Sequence, residues 1–236
     1  MSTTHDIERA DGSIVQIRVT GIDDGDFHID AEPEQLAERR RSVLGPNAWT
    51  VVRQVHGARV VDATTVGGEA ADAPEADALI TEQPGLPIAV QGADCAPIAF
   101  ITDRGPIAVA HAGWRGLAAG VVGAVVDELH SAGATVEQAI VGPVIGSECY
   151  EFGAEDLDHV AGLLGEDVRA TATNGNPALD MKSAIISSFS AAGVTNVHFV
   201  GGCTACADAG FSHRSRRDRE RHALVAQIQP QASAAS

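Results

Sequence analysis

One stretch constrains the architecture more than any other: Gln91 to Gly116, reading QGADCAPIAFITDRGPIAVAHAGWRG. Two short apolar runs, Pro97–Ile101 and Pro106–Ala110, flank the turn Thr102-Asp103-Arg104-Gly105. Apolar runs of this length bounded by turn residues mark core strands, so the stretch reads as a buried hairpin. Cys95 stands just before the first run and His111 just after the second. In near-symmetric register both side chains emerge at the same end, a few ångströms apart. A thiol and an imidazole so placed are either a metal site that lacks a third ligand or a Cys–His nucleophile pair.

Composition narrows the choice of partners. The chain has 236 residues, enough for one large domain or two small ones, and 44% of them are hydrophobic. Its formal charge is −16, from 32 acidic and 16 basic residues. That balance argues against nucleic acid or an anionic membrane as the main partner. An anionic substrate stays open, because eight of the sixteen basic residues fall in Arg39–Arg41 and Arg214–Arg221. No apolar run approaches the ~20 residues of a membrane span. The polar, acidic start, MSTTHDIERADGS, lacks the features of a secretory leader. Four cysteines in a chain this long do not make a disulfide framework. The expectation is a cytoplasmic protein with reduced thiols, a monomer or weak homo-oligomer.

Along the chain, Ser13–Thr20 alternates and reads as a half-buried strand, followed by a Gly/Asp-rich loop to Asp30. Glu32–Leu44 reads as a helix, with Pro33 in its first turn and Gly45-Pro46 after its end. Its Arg39–Arg41 cluster is either a solvated helix end or the source of an arginine that reaches an anion. Trp49–Val61 holds two β-branched runs around Gln54-Val55-His56-Gly57, which puts His56 at a strand end beside a glycine turn. Thr64–Pro74 reads as an exposed loop, and Ala76–Thr81 and Leu86–Val90 as short strands. Leu117–Ala132 reads as one long helix in which Gly120 and Gly123 each cost roughly 1 kcal/mol. Further strands are expected at Gln138–Val141 and Val197–Val200, helices at Glu155–Leu164 and Leu179–Ala192 with Asp180 as N-cap, and a loop at Arg169–Pro177. Ala223–Ile228 is a strand or helix, and Gln229–Ser236 a low-complexity tail expected to be disordered. With no repeat or linker visible, residues 1–228 read as one α/β domain and 229–236 as its tail.

Five blocks are now in view: RQVHGARV, GADCAPIAF, AHAGWRGLAAGVV, VGPVIGSECYEF with LDMKSA, and GGCTACADAGFSHR. In this order and spacing, over roughly Arg39 to Arg221, they closely resemble the YfiH-like family. That family is variously labelled multicopper polyphenol oxidoreductase (laccase), purine nucleoside phosphorylase and peptidoglycan editing factor. The resemblance implies an α/β sandwich like the catalytic domain of cytotoxic necrotizing factor. It also implies zinc ligands at His56, Cys95 and His111. The chain departs from the family pattern in its first 45 residues, at Gly92, and at Ser212-His213-Arg214-Ser215.

A His2Cys set with an open fourth position suits a catalytic zinc rather than a closed structural one. With Zn2+ as cofactor, the resemblance implies phosphorolysis of a purine nucleoside (adenosine, inosine, guanosine or methylthioadenosine), with adenosine deamination as a further activity. Purine nucleoside and phosphate are then the partners. Arg214 is a candidate for holding phosphate, since a guanidinium fork matches its oxygens. Asp94, next to Cys95, either orients a ligand histidine or serves as acid/base; the alternative is a turn-capping aspartate. His2Cys is also the equatorial set of a blue-copper site, so Cu2+ and a laccase-like polyphenol oxidase are an alternative. The nine histidines are scattered, however, without His-x-His pairs. A metal-free hydrolase with Cys95 as nucleophile and His111 as base is another alternative, including a peptidoglycan-precursor editing enzyme. Cys203 and Cys206 form a lone C-x-x-C; without a second pair, a structural zinc is not expected there.

Overall fold

The computed structural model describes residues 2–66, 73–206 and 210–229. The expected tail beyond Gln229, and residues 67–72 of the expected loop, lie outside the described residues. Among the described residues there are twelve strands and six α-helices: β1 Thr3–Glu8, β2 Ile14–Val19, α1 Pro33–Leu44, β3 Val60–Asp62, β4 Ala78–Thr81, β5 Ile88–Gly92, β6 Ala96–Thr102, β7 Ile107–Ala112, α2 Trp114–Ala118, α3 Val121–Ser131, β8 Val136–Val141, α4 Ala154–Leu164, β9 Arg169–Thr171, β10 Pro177–Leu179, α5 Met181–Ala191, β11 Val197–Phe199, α6 His213–Arg216 and β12 His222–Ile228.

Ten strands form two sheets, ordered β1-β2-β12-β5 and β11-β8-β6-β7-β4-β3; β9 and β10 make a separate small hairpin. The first sheet is antiparallel throughout. The second is antiparallel except for its outer pairs, β11 with β8 and β3 with β4. Alternation along the strands sorts the side chains between two faces. Ala99, Ile101, Ile107 and Val109 meet Val15, Ile17, Val90 and Leu224 between the sheets. Ile98, Phe100, Ala108 and Ala110 turn the other way, onto Val121, Val125, Val160 and Phe189 of the helices. On the outside of the first sheet, Ala223 and Val225 are covered by Phe27, Leu36 and Trp49. The result is an α/β sandwich with two sheets in the middle and helices on both outer faces. The central strands are buried on both faces, which is why the apolar runs Pro97–Ile101 of β6, Ile107–Ala110 of β7 and Ala223–Ala226 of β12 do not alternate with polar residues. Among the described residues no helix is long and apolar enough to cross a membrane.

Several expectations need correction. The single helix over Leu117–Ala132 is two, α2 and α3, because Gly120 adopts φ 83° and caps the second. The stretch from Thr50 to Arg53 forms no named strand and makes isolated bridges, Thr50 to Ile88 and Arg53 to Glu75. Arg169–Pro177 is not all loop: β9 and β10 pair across a turn at Thr173–Asn176. The polar start contains β1, an edge strand. Asp180 does cap α5, accepting from the amides of Lys182 and Ser183.

The two glycines of this segment should respond oppositely to alanine. A Cβ at either meets nothing within 4 Å, but only Gly120 has left-handed backbone. Gly120→Ala should lose about 1 kcal/mol through strain, and Gly123→Ala should gain roughly that through helix propensity. Urea denaturation of both variants checks the opposite signs.

Candidate metal centre

The β6–β7 hairpin pairs Pro97 with His111 and Ala96 with Ala112, so Cys95 and His111 leave it at one end. His56 arrives from the loop before β3. Its backbone is left-handed, φ 62°, and this conformation is held from outside. The carboxylate of Asp77 accepts from the amides of His56 at 2.9 Å and Gly57 at 2.6 Å. The same carboxylate, fully buried, also meets His111 Nδ1 at 2.9 Å. That contact leaves the other ring nitrogen of His111 for the cluster. The nitrogen and sulfur donors of His56, Cys95 and His111 lie within 4.8 Å of one another, and Cys95 Sγ stands 3.9 Å from His56 Nε2.

Two features fit this donor set to a metal ion. The first is steric: a Cβ at Gly113 would sit 2.8 Å from Cys95 Sγ and 3.1 Å from His56 Cδ2, so the space is kept by a residue with no side chain. The second is electrostatic. Burial pushes the Cys95 thiol up, but the charge of His111 and hydrogen bonds from both histidines outweigh it and bring the pKa to about 6. Burial pulls His111 down, but the Cys95 charge and the Asp77 hydrogen bond outweigh it and bring the pKa to about 9. A thiolate at neutral pH is the form that binds metal.

The cluster forms the floor of a cleft of about 490 Å³. Arg53, Arg115, Arg214 and Arg221 line it, with Trp114 and Tyr150. The Arg214 guanidinium lies 4.7 Å over the Tyr150 ring and donates to the Glu151 carbonyl at 2.8 Å. Arg115 lies 4.3 Å over Trp114.

Asp94 occupies a place between its two expected roles. Its carboxylate accepts from Thr204 Oγ1 and from the Arg214 amide, both at 2.6 Å. It therefore ties the Arg214 segment to the cluster, and the histidine-orienting role belongs to Asp77. Asp77, Tyr150 and Trp114 were missed by sequence reasoning; the one available signal for Asp77 was a lone acid at the start of the apolar run Ala78–Thr81. None of Arg39–Arg41 lines this cleft. Arg39 donates to the Asp26 carbonyl, Arg40 lies 5.7 Å over Trp49, and Arg41 lines a separate surface hollow on α1.

The profile of the multi-copper polyphenol oxidoreductase laccase family matches residues 19–229. The chain belongs to this family. Its relatives include the purine nucleoside phosphorylase ORF3 of Streptomyces griseus, 36% identical over 77% of this chain and 75% of that protein. The purine nucleoside phosphorylase YlmD of Geobacillus stearothermophilus is 38% identical over 72% and 68%. The adenosine deaminase RL5 of an unknown prokaryotic organism is 34% identical over 67% and 66%. Among solved structures, the hypothetical protein YfiH of Bacillus licheniformis matches with a TM-score of 0.80 at 24% identity, over 96% of this chain and 97% of that one. The family fold thus spans nearly the whole chain.

The protonation pattern has a measurable consequence for the metal-free chain. A thiol lowered from 9.0 to about 6 contributes stability that is complete above pH 9 and is lost as pH falls through 6. An imidazole raised from 6.5 to about 9 contributes stability that is complete below pH 6.5 and is lost as pH rises through 9. Between about pH 6.5 and pH 9 the two trends offset, because the folded and the unfolded pair each hold one proton, so in chelator-treated protein the contribution of this pair should stay nearly level across that range. Iodoacetamide should alkylate Cys95 with a midpoint near pH 6, against 9 in the denatured chain. Asp77→Asn should move that midpoint upward; an unchanged midpoint would contradict the coupling.

Proposed function

We propose that this chain is a zinc-dependent purine nucleoside phosphorylase, with Zn2+ held by His56, Cys95 and His111 and phosphate held by Arg214. The observation that carries the reading is the convergence of three metal-binding donors on the floor of a cleft walled by guanidinium groups and aromatic rings. The phosphorylases among the relatives support the substrate class.

Each side chain then has a task. Asp77 fixes the His111 tautomer, so that one nitrogen is spent on the carboxylate and the other faces the cluster. When bound, zinc supplies Lewis-acid positive charge facing the substrate. Tyr150 and Trp114 offer aromatic faces to a purine ring. Arg214 keeps donors free after its single bond to the Glu151 carbonyl, and its fork suits a phosphate. Asp94 acts through Arg214: it holds that residue's amide, and with it the guanidinium's starting point. The adenosine deaminase among the relatives supports deamination as a second activity of the same cleft.

The metal-free hydrolase reading is favoured by one observation. Asp77, His111 and Cys95 form a line of carboxylate, imidazole and thiol, the order of a nucleophile activated by an oriented base. In that reading His56 has no task. The copper oxidase reading has less support: among the described residues two groups of three or more ligating side chains come together, and only one contains histidine.

The deciding experiment incubates purified protein with adenosine, inosine and guanosine, with and without phosphate. Phosphate-dependent release of free base is expected. Ammonia release without phosphate would instead favour deamination, and oxygen uptake with a phenol after copper loading would favour the oxidase. Arg214→Ala should raise KM for phosphate roughly 10–150-fold, the equivalent of about 1.5–3 kcal/mol for a charge-assisted contact, with a smaller change for nucleoside. Equal changes would mean a general role in the cleft. His56→Ala separates metal from thiol catalysis: zinc and activity should disappear together, whereas a Cys–His hydrolase would keep most of its activity.

A further inference from the structure

A second group of metal-binding side chains lies outside the cleft. Glu148 and Cys149 sit in the turn after β8, and Cys203 and Cys206 in the loop after β11. These two loops are brought together because β11 lies parallel to β8 and the pairing runs on through a bridge between Val144 and Cys203. The three sulfurs and a Glu148 carboxylate oxygen lie within 4.8 Å of one another. All four cysteines of the chain are free thiols. The sequence offers Cys203 and Cys206 no second C-x-x-C, but the fold brings other donors to them. Their partners are Cys149 and Glu148, which are adjacent in sequence and so do not form a second C-x-x-C.

We propose that Glu148, Cys149, Cys203 and Cys206 form a second zinc site, closed and structural, that fastens one wall of the cleft. The donor count and type match: structural zinc is four-coordinate, and thiolates with one carboxylate are within its ligand range. Zn–S bonds of about 2.3 Å in a tetrahedron place sulfurs about 3.8 Å apart, so the observed spread needs only a small contraction. The site is also shaped for the carboxylate, since a Cβ at Gly146 would overlap it. The Gly146 amide points at Cys203 Sγ at 3.2 Å, and Cys206 Sγ donates to Glu148 Oε1 at 3.3 Å. The Glu148 carbonyl is held in turn by the amide and hydroxyl of Thr173, both at 3.0 Å. Glu148 and Cys206 are exposed, which leaves an entry path for the ion. A disulfide would use two of the sulfurs and leave a thiol and a carboxylate unaccounted for.

The position suggests what such an ion does. None of its four ligands lines the cleft, but each loop carries a residue that matters there. Cys149 is followed by Tyr150, the ring beneath Arg214. Between Cys203 and Cys206 stands Thr204, whose hydroxyl holds the Asp94 carboxylate that holds the Arg214 amide. An ion joining the two loops therefore fixes both the ring under Arg214 and the anchor of its backbone.

The test uses a Cys95→Ser background, so that zinc at the cleft floor does not contribute. The full-length variant, purified under reducing conditions without chelator, should carry one zinc per chain by elemental analysis. Replacing its metal with Co2+ should give an intense thiolate-to-cobalt band in the near ultraviolet. Adding Cys206→Ser, an exposed change, should abolish the band and the zinc while circular dichroism stays that of folded protein. The proposal is overturned if the folded Cys95→Ser protein carries no zinc and no band, if Cys206→Ser changes neither, or if mass spectrometry finds a disulfide among these cysteines under the same conditions. Should Cys95→Ser fail to fold, His56→Ala serves as the background with the same criteria. Failure of the cleft-floor assignment reads out separately, as wild-type protein carrying no more zinc than the background variant.

Discussion

The candidate centre and the local fold both depend on the buried carboxylate of Asp77. A fully buried charge is costly unless its oxygens are filled, and here they are: by the amides of His56 and Gly57 and by the ring of His111. Burial would raise its pKa, yet those hydrogen bonds hold it below the usual carboxylate range. The same bonds impose a left-handed backbone on His56, which costs a residue with a Cβ roughly 1–2 kcal/mol. Each amide left unpaired in that place would cost about 1–3 kcal/mol, so the carboxylate outweighs the strain it maintains. One side chain thereby sets the tautomer of one histidine and the backbone of the other.

Local signals explain what could be read directly. The β6–β7 hairpin was legible because both strands are buried on both faces and the turn between them is polar, and its register carried Cys95 and His111 to one end. The capping role of Asp180 and the span of α1 followed from short-range chemistry. What stayed hidden depended on distant partners. Gly120 looks like an ordinary helical glycine until packing requires left-handed backbone there. The edge strand β1 has mostly polar residues because it pairs with β2 alone and sets only Ile7 against the core.

The site shows the same division. His56, Cys95 and His111 stood out by type and motif, whereas the groups that orient them did not. Asp77 and Asp94 are both acids next to apolar runs, and sequence alone favoured the one beside Cys95. The fold turns that one toward Thr204 and Arg214 and gives the histidines to Asp77. The second cluster of donors was missed for a related reason. Glu148 and Cys149 approach Cys203 and Cys206 only through the parallel pairing of β8 with β11, a contact with no sequence signature of its own.

The guanidinium-lined cleft belongs to a chain whose formal charge is −16. An approaching anion therefore meets two fields of opposite sign at different ranges. Far from the surface the excess of carboxylates repels it, and within the cleft the arginines attract it. The Debye length falls from about 30 Å at 0.01 M salt to about 8 Å at 0.15 M, so moderate salt removes the outer barrier while the contacts inside persist. Capture of a small anion then quickens as salt is first added, the reverse of a basic protein's behaviour. A polyanion gains nothing from this, because it must lie across the repelling surface. The charge of the whole chain and the guanidinium groups of its cleft thus present a compact anion with fields of opposite sign at long and at short range.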